Sequence, residues 1–85
     1  MNHIYKLTSD EYQQVKSGRK LFFLKRDGKK YTIGDELHLR ECKNTYTYTG
    51  KIIIAEVLGI LLDIDHRGLK KGYCVLSIRV TKVFE

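Results

Sequence analysis

The sequence is poor in the residues that interrupt strands or cross-link chains. It has no proline, no tryptophan, one methionine and two cysteines among 85 residues. Cys42 and Cys74 show no close spacing, and the chain carries no evident signal peptide or apolar run of bilayer length. These absences argue against a disulfide-framed secreted domain and against a membrane protein. We expect a cytoplasmic protein whose reduced thiols lie in strands as small apolar residues.

The length leaves room for one domain only. Hydrophobic residues make up 42% of the chain and charged residues 31%, without a low-complexity run or a linker. This composition is typical of a folded globular protein rather than a disordered tail. We therefore expect a single domain spanning residues 1–85, with one core and the ability to fold alone.

Acidic residues are scarce compared with bases, 10 against 16, which leaves a formal net charge of +6. The segment from Lys16 to Tyr31 contains seven basic residues and a single acidic one, Asp27. Its own net charge is therefore +6, equal to that of the whole chain. Such a charge attracts polyanions, of which nucleic acid is the commonest; acidic proteins and anionic membranes are the competitors. The bases that flank the apolar stretch Leu21–Leu24 are candidates for holding phosphate.

Local signals near the N-terminus predict a strand followed by a helix. Residues 4–7 form the expected first strand. Thr8, followed three residues later by Glu11, provides a capping box, so a helix should begin there. It should run for at most two turns and end at Ser17-Gly18, where glycine can adopt the left-handed conformation.

The middle of the chain predicts three strands. Leu21–Lys25 is too apolar to alternate, which favours a strand covered on both faces. Glu36–Glu41 alternates, with Leu37 and Leu39 inward. A further strand is expected at Tyr46–Thr49, with its tyrosines on one face. Turns are expected at residues 27–28 and 43–45, and a bulge or bend at Gly50.

Two long runs rich in β-branched residues, Lys51–Leu62 and Tyr73–Phe84, predict the remaining strands, with a polar loop between them. Together with the absence of proline, these strands favour an α+β, mostly β fold. We expect a compact, mostly antiparallel β-barrel with one short N-terminal helix.

Six short motifs occur in an order that resembles one superfamily. They are Ser17–Lys20, Ile33–Leu37, Leu39–Glu41, Tyr48–Lys51, Ala55–Val57 and Gly68–Leu76. The chain resembles the ASCH superfamily of PUA-like domains, and most closely a small phage and bacterial branch similar to the domain of unknown function DUF3850. The resemblance covers nearly the whole chain. It implies a PUA-like β-barrel with a helix near the entrance of a cleft, in a superfamily usually proposed to bind RNA or modified bases.

A few ASCH relatives are amidohydrolases that act on an acetylated cytidine nucleoside. The resemblance places their signature lysine at Lys20 and their arginine at Lys25, but their threonine nucleophile falls on Phe23. The closer branch commonly has glutamate there. A phenyl ring cannot attack a carbonyl, so we expect no enzyme activity. In a hydrolase Glu56 would be the candidate carboxylate; otherwise it is a solvent-facing or paired strand residue.

The basic residues have two explanations. In the first, they bind phosphate: an arginine can donate two parallel hydrogen bonds to a phosphate, and a lysine acts as a point charge. Alternatively, they form a solvated surface that favours solubility. The candidate nucleic-acid-binding residues are Arg19, Lys20, Lys25, Arg26, Lys29, Lys30 and Arg40.

Aromatic residues are candidates for stacking on bases, namely Phe23, Tyr46 and Tyr48. The alternatives are a core position for Phe23 and cross-strand packing for the tyrosines. The spacing of Asp63, Asp65 and His66 does not match that of a zinc site or an EF-hand. We therefore expect no metal and no cofactor.

The sequence predicts a non-enzymatic nucleic-acid-binding module, for RNA or a modified base, with a basic patch at a PUA-like cleft. The alternative is a small phage-encoded inhibitor that acts on a host nuclease or defence protein, and a third is a residual acetylcytidine amidohydrolase. The expected partners are thus nucleic acid or a host protein, without a membrane.

Overall fold

A computed structural model describes residues 1–26, 30–44, 46–65 and 67–85. Its elements are β1 (Asn2–Leu7), α1 (Ser9–Lys16), β2 (Phe22–Arg26), β3 (Glu36–Asn44), β4 (Thr47–Leu62), a 3-10 turn (Asp63–Asp65) and β5 (Tyr73–Phe84). Some of the predictions lie outside the described residues. They are the turn at residues 27–28, the phosphate-binding candidate Lys29, Thr45 of the second predicted turn, and His66, which was considered as a metal ligand.

The five strands form one mixed sheet in the order β1-β3-β4-β5-β2. β1 runs parallel to β3, and the other three pairings are antiparallel. The predicted mostly β fold with one short helix is confirmed. The expected β-barrel is confirmed in part, since the sheet curls into a half-barrel whose edge strands β1 and β2 share no backbone pairing in the described part of the chain. We call the gap between these two edges the seam.

Helix α1 forms as its sequence signals predict. The Thr8 hydroxyl accepts a hydrogen bond from the Glu11 amide at 3.2 Å, and the Glu11 carboxylate accepts one from the Thr8 amide at 3.1 Å. Both donors would otherwise be unpaired at the helix start. The helix buries Tyr12 and Val15 in the core, and Gly18 follows it with φ at 81°. The capping box therefore fixes the point after β1 at which the helix begins.

The core lies on the inner face of the half-barrel, where alternate residues of β3, β4 and β5 meet the apolar side of α1. The largest fully buried side chains are Tyr12, Leu37, Leu39, Ile53, Leu76, Val15, Val57 and Cys74. The predicted inward positions of Leu37 and Leu39 are confirmed. Both cysteines are buried free thiols, as expected. Among the described residues, no helix is long and apolar enough to cross a membrane.

Two predictions about strands need correction. β2 is buried on one face only, since Phe23 is 4% exposed whereas Phe22 and Leu24 are 54% and 60% exposed. Phe23 belongs to the core cluster on the inner face, whereas the outer face of β2 is exposed. Tyr46 lies in the turn before β4 and does not share a strand face with Tyr48.

The irregularity predicted at Gly50 is confirmed. Between the pairs Arg40↔Ile52 and Cys42↔Tyr48, β4 uses more residues than β3, and Gly50 lies within that bulge with φ at 93°. A side chain is disfavoured at such a backbone angle. A bulge bends the strand that contains it, so β4 is bent where it pairs with the end of β3.

Asp35 is a buried carboxylate that holds β1 against the start of β3. Its Oδ2 lies 2.9 Å from Nε2 of His3 and accepts a hydrogen bond of 2.9 Å from the Thr32 amide. The hydrogen bonds from His3 and then Thr32 lower the pKa of Asp35 to about 2. The folded state therefore favours the ionised carboxylate.

The Asp35→Asn variant should lose about 1–3 kcal/mol of unfolding free energy at neutral pH, because it loses hydrogen bonds to a charged acceptor. The folded pKa of Asp35, about 2, lies below its ordinary value. Its contribution is therefore complete above about pH 4 and is lost as the pH falls toward 2. Urea unfolding across this range should show the variant and the parent converging in acid.

Asp10→Asn, at an exposed position in the first turn of α1, is the matched control and should leave the acid dependence unchanged. A stability difference between Asp35→Asn and the parent that is the same at neutral and acid pH would contradict the assignment.

Candidate nucleic-acid interface

The inner face of β2 turns Phe23 and Lys25 toward the seam. They pair in register with Leu76 and Cys74, which are fully buried inner residues of β5. Strand alternation therefore places a lysine on the face that the core occupies. Phe23 is buried, in agreement with its core alternative, whereas Lys25 is only partly buried.

Lys25 reaches across the seam to β1. Its Nζ lies 3.7 Å from the centroid of the Tyr5 ring and 5.6 Å from that of Phe23. The Tyr5 hydroxyl forms a hydrogen bond with the hydroxyl of Tyr31, which comes from the segment before β3. A cation over an aromatic face is attracted to the ring. Side chains thus bridge the two edges that the backbone leaves unpaired.

Two further lysines lie near the aromatic rings of the seam. Lys20, in the link from α1 to β2, holds its Nζ 5.2 Å from the centroid of the Phe23 ring, and Lys30 holds its Nζ 5.4 Å from that of Tyr31. These three lysines and three rings form what we call the seam cluster: Lys20, Lys25, Lys30, Tyr5, Phe23 and Tyr31.

The seam cluster has an excess of positive charge. Burial lowers the pKa of Lys25, and the charges of Lys20 and Lys30 lower it further, while Glu11 opposes them. Glu11 already accepts the Thr8 amide, and its other oxygen lies 3.9 Å from the Lys20 amine. Lys25 is thus influenced by one carboxylate, that of Glu11, and by two like charges, those of Lys20 and Lys30. An anion placed here would be stabilised by all three amines.

Two of the predicted phosphate-binding residues lie apart from the seam cluster. Arg19 is exposed beyond the end of α1. Arg26 lies on the outer face of β2, where its Nε donates a hydrogen bond of 2.8 Å to the Tyr73 hydroxyl and lowers the pKa of that phenol. Consecutive residues of a strand point to opposite faces, which separates Arg26 from Lys25.

Arg40 lies on the outer face of β3 and belongs to a second basic and aromatic surface. Its guanidinium carbon is 3.9 Å from the centroid of the Tyr48 ring, and the Lys6 amine is 5.7 Å from the same centroid. The Nε of Arg40 is buried and has no hydrogen-bond partner within the described ranges. Tyr46, 91% exposed, lies in the turn nearby. We call Lys6, Arg40 and Tyr48 the outer cluster.

The residues considered for other chemistry do not join the seam cluster. Glu56 lies on the outer face of β4 and pairs with Arg79 at 2.7 Å. Within residues 1–26, 30–44, 46–65 and 67–85, no three His, Cys, Asp or Glu side chains gather as a metal site. A cavity of about 500 Å³ lies where α1 begins, between the ends of β1 and β3, with Lys6, Glu11 and Lys43 among its lining residues.

Sequence reasoning missed Tyr5 and Glu11 as members of this site. Tyr5 was predicted only as part of the first strand, and Glu11 only as part of the capping box. Neither lies near the basic segment in sequence, and the contact between β1 and β2 joins the two ends of the strand order. No pattern in the sequence reports such a contact.

The electrostatics of Lys25 lead to a test of stability. Because its folded pKa is lowered, the folded state binds this proton less tightly than the unfolded state. The amine therefore costs stability at neutral pH, and the cost disappears as the pH rises toward the ordinary lysine pKa. Lys25→Met keeps an unbranched side chain and removes the charge, so it should raise the unfolding free energy at pH 7, by less than about 1 kcal/mol because solvent screens a half-exposed amine.

Thermal and urea unfolding of the Lys25→Met variant measure this effect. The matched control is Lys16→Met, since the Lys16 amine lies 2.5 Å from a carboxylate oxygen of Glu85 and should not gain stability when removed. Equal destabilisation by both variants would show that Lys25 is an ordinary structural cation.

The chain matches the family model described as a domain of unknown function (DUF3850) over residues 2–78. No curated protein is found to match it. The matched region runs from β1 into β5 and contains every residue of the seam cluster. Since the match covers most of the sequence, the chain belongs to the DUF3850 family, a domain of unknown function.

Proposed function

We propose that this protein is a non-enzymatic, PUA-like module that binds nucleic acid, with RNA or a modified base as its ligand. The observation that carries the proposal is the partly buried Lys25 amine, which lies under the influence of the like charges of Lys20 and Lys30 with Glu11 as the opposing carboxylate. A surface selected only for solubility has no need to hold a lysine partly buried among two like charges.

A phosphate group suits this arrangement. Its charge would offset the repulsion among the three amines and restore the pKa of Lys25 toward its ordinary value. Lysine amines act as point charges that accept several phosphate orientations, so contacts of this kind hold the backbone without reading sequence. The seam cluster is therefore proposed as a backbone site.

Bases would be held by other side chains. Phe23 is 4% exposed and acts as an apolar floor beneath Lys20 and Lys25 rather than as a free stacking face. Tyr46 is 91% exposed and is the stronger candidate for stacking, with Tyr48 and Arg40 of the outer cluster beside it. Stacking on an aromatic ring contributes about 1–3 kcal/mol per base.

Binding is a better account of the site than hydrolysis. The position that carries the nucleophile in the resembled amidohydrolases is the buried Phe23, and Glu56 pairs with Arg79 on the opposite face of the sheet. An acyl transfer needs a nucleophile and a base within hydrogen-bond reach of each other. The inhibitor alternative would use the same positive charge against an acidic protein surface.

The salt dependence of binding tests the proposal. Filter binding of single-stranded RNA should give an affinity that falls linearly with salt on logarithmic axes. Lys20→Gln and Lys30→Gln should each reduce the slope by about 0.7, the value per neutralised phosphate on a single strand. Both should weaken binding to a similar degree for every sequence, because they remove phosphate contacts only.

Lys82→Gln is the matched control, as it removes an exposed lysine of β5 outside the seam cluster and should leave the slope nearly unchanged. Absence of binding, or an affinity insensitive to salt, would overturn the proposal. Capture of a host protein that survives nuclease treatment would favour the inhibitor alternative instead.

A further inference from the structure

The seam has a closed floor and an open solvent side. Phe23 and Tyr31, 4% and 6% exposed, form the floor as members of the buried core cluster, and Tyr5 packs against that cluster. Lys30, by contrast, is exposed, and Lys25 is partly buried. A ligand therefore reaches the lysines from the solvent side alone. A nucleic-acid strand can lie across the seam or end there, but it cannot pass through the close-packed core.

Two of the three seam amines have no anionic partner among the described residues. The Lys20 amine lies 3.9 Å from a carboxylate oxygen of Glu11, whereas the amines of Lys25 and Lys30 form no ion pair there. The charges of Lys20 and Lys30 act on Lys25, and that of Glu11 opposes them. Three amines and one carboxylate leave an excess of two positive charges in this group.

The phosphates of a nucleic acid are of two kinds, which differ in charge and in free oxygens. An internal phosphodiester carries a single negative charge and has two oxygens that are not esterified. A terminal phosphate monoester carries a charge of about −1.5 to −2 at pH 7 and has three acceptor oxygens. The monoester thus matches the excess charge at the seam more closely, and it offers as many free oxygens as there are amines.

We propose that the seam cluster binds the terminal phosphate monoester of a nucleic-acid strand in preference to an internal phosphodiester. This inference rests on the proposed function and specifies which phosphate the seam holds. Lysine amines are point charges on flexible stems, so three of them can gather around one tetrahedral group. Because Lys25 is partly withdrawn from water, solvent screens its attraction for an anion less than at an exposed site.

Fluorescence anisotropy with internally labelled RNA oligonucleotides of one sequence tests the proposal. The set comprises hydroxyl groups at both ends, a 5′-phosphate, a 3′-phosphate, and the methyl ester of each phosphate, which keeps the group but only one charge. The parent protein should bind one phosphorylated end at least about tenfold more tightly than hydroxyl ends, the gain expected from a hydrogen bond between charged groups. The end that gives this gain is the one recognised, and its methyl ester should lose most of it.

Substitutions in the seam cluster should remove this preference. Lys25→Met and Lys30→Gln should each reduce it by at least about threefold, because each removes one of the charges that stabilise the dianion. Lys30 is exposed, so Lys30→Gln tests the site without changing a partly buried contact. Lys82→Gln, an exposed position of β5 outside the seam cluster, is the matched control and should keep the full preference.

The possible outcomes separate this inference from the proposed function. Equal, salt-dependent affinity for all the oligonucleotides would overturn the preference for a terminal phosphate and leave the proposed function in place. A methyl ester bound as tightly as the free phosphate would also overturn it, because the second charge would then contribute nothing. So would a loss of preference in Lys82→Gln as large as in Lys30→Gln. Failure to bind any of the oligonucleotides would overturn the proposed function as well.

Discussion

The contact of the Lys25 amine with the Tyr5 ring is the interaction on which the rest of the site depends. A five-stranded sheet that curls without closing leaves two edges facing each other. Here the gap is bridged by side chains: Lys25 over Tyr5, and Tyr5 hydrogen-bonded to Tyr31. Asp35 supports the same edge, because it holds His3 of β1 at the start of β3. The bridge across the seam therefore also brings Lys25 near the like charges of Lys20 and Lys30.

The strand β2 divides the basic segment between two surfaces. Lys25 points into the seam, whereas Arg26 and the exposed Phe22 and Leu24 point to the outer face. Successive side chains of a strand point to opposite faces of the sheet, so neighbouring residues of β2 must lie on different surfaces. As a result, a run of bases that is continuous in sequence is divided between the two faces, and the proposed anion site lies on the inner one. The outer face of the same strand carries Arg26 beside Tyr73, together with the exposed apolar residues Phe22 and Leu24.

Much of the fold was accessible from the sequence because its signals are local. The capping box at Thr8 and Glu11, the inward positions of Leu37 and Leu39, and the bulge at Gly50 all depend on residues within one element or one turn. The exposure of one face of β2 was not accessible. An apolar run predicts burial on both faces, and only the packing of the sheet leaves Phe22 and Leu24 uncovered. Tyr5 and Glu11 were not predicted as site residues for the same reason, since their contacts with the basic segment form only in the tertiary structure.

The sequence by itself determined where charge is concentrated, where the helix begins and ends, and which residues alternate toward a core, since each of these depends on neighbours along the chain. Only the tertiary structure decided which bases act together. Lys20, Lys25 and Lys30 converge because the sheet curls until β2 faces β1, while Arg26 and Arg40 are turned to the outer face. Electrostatic coupling depends on distance through space, and the sheet order sets that distance.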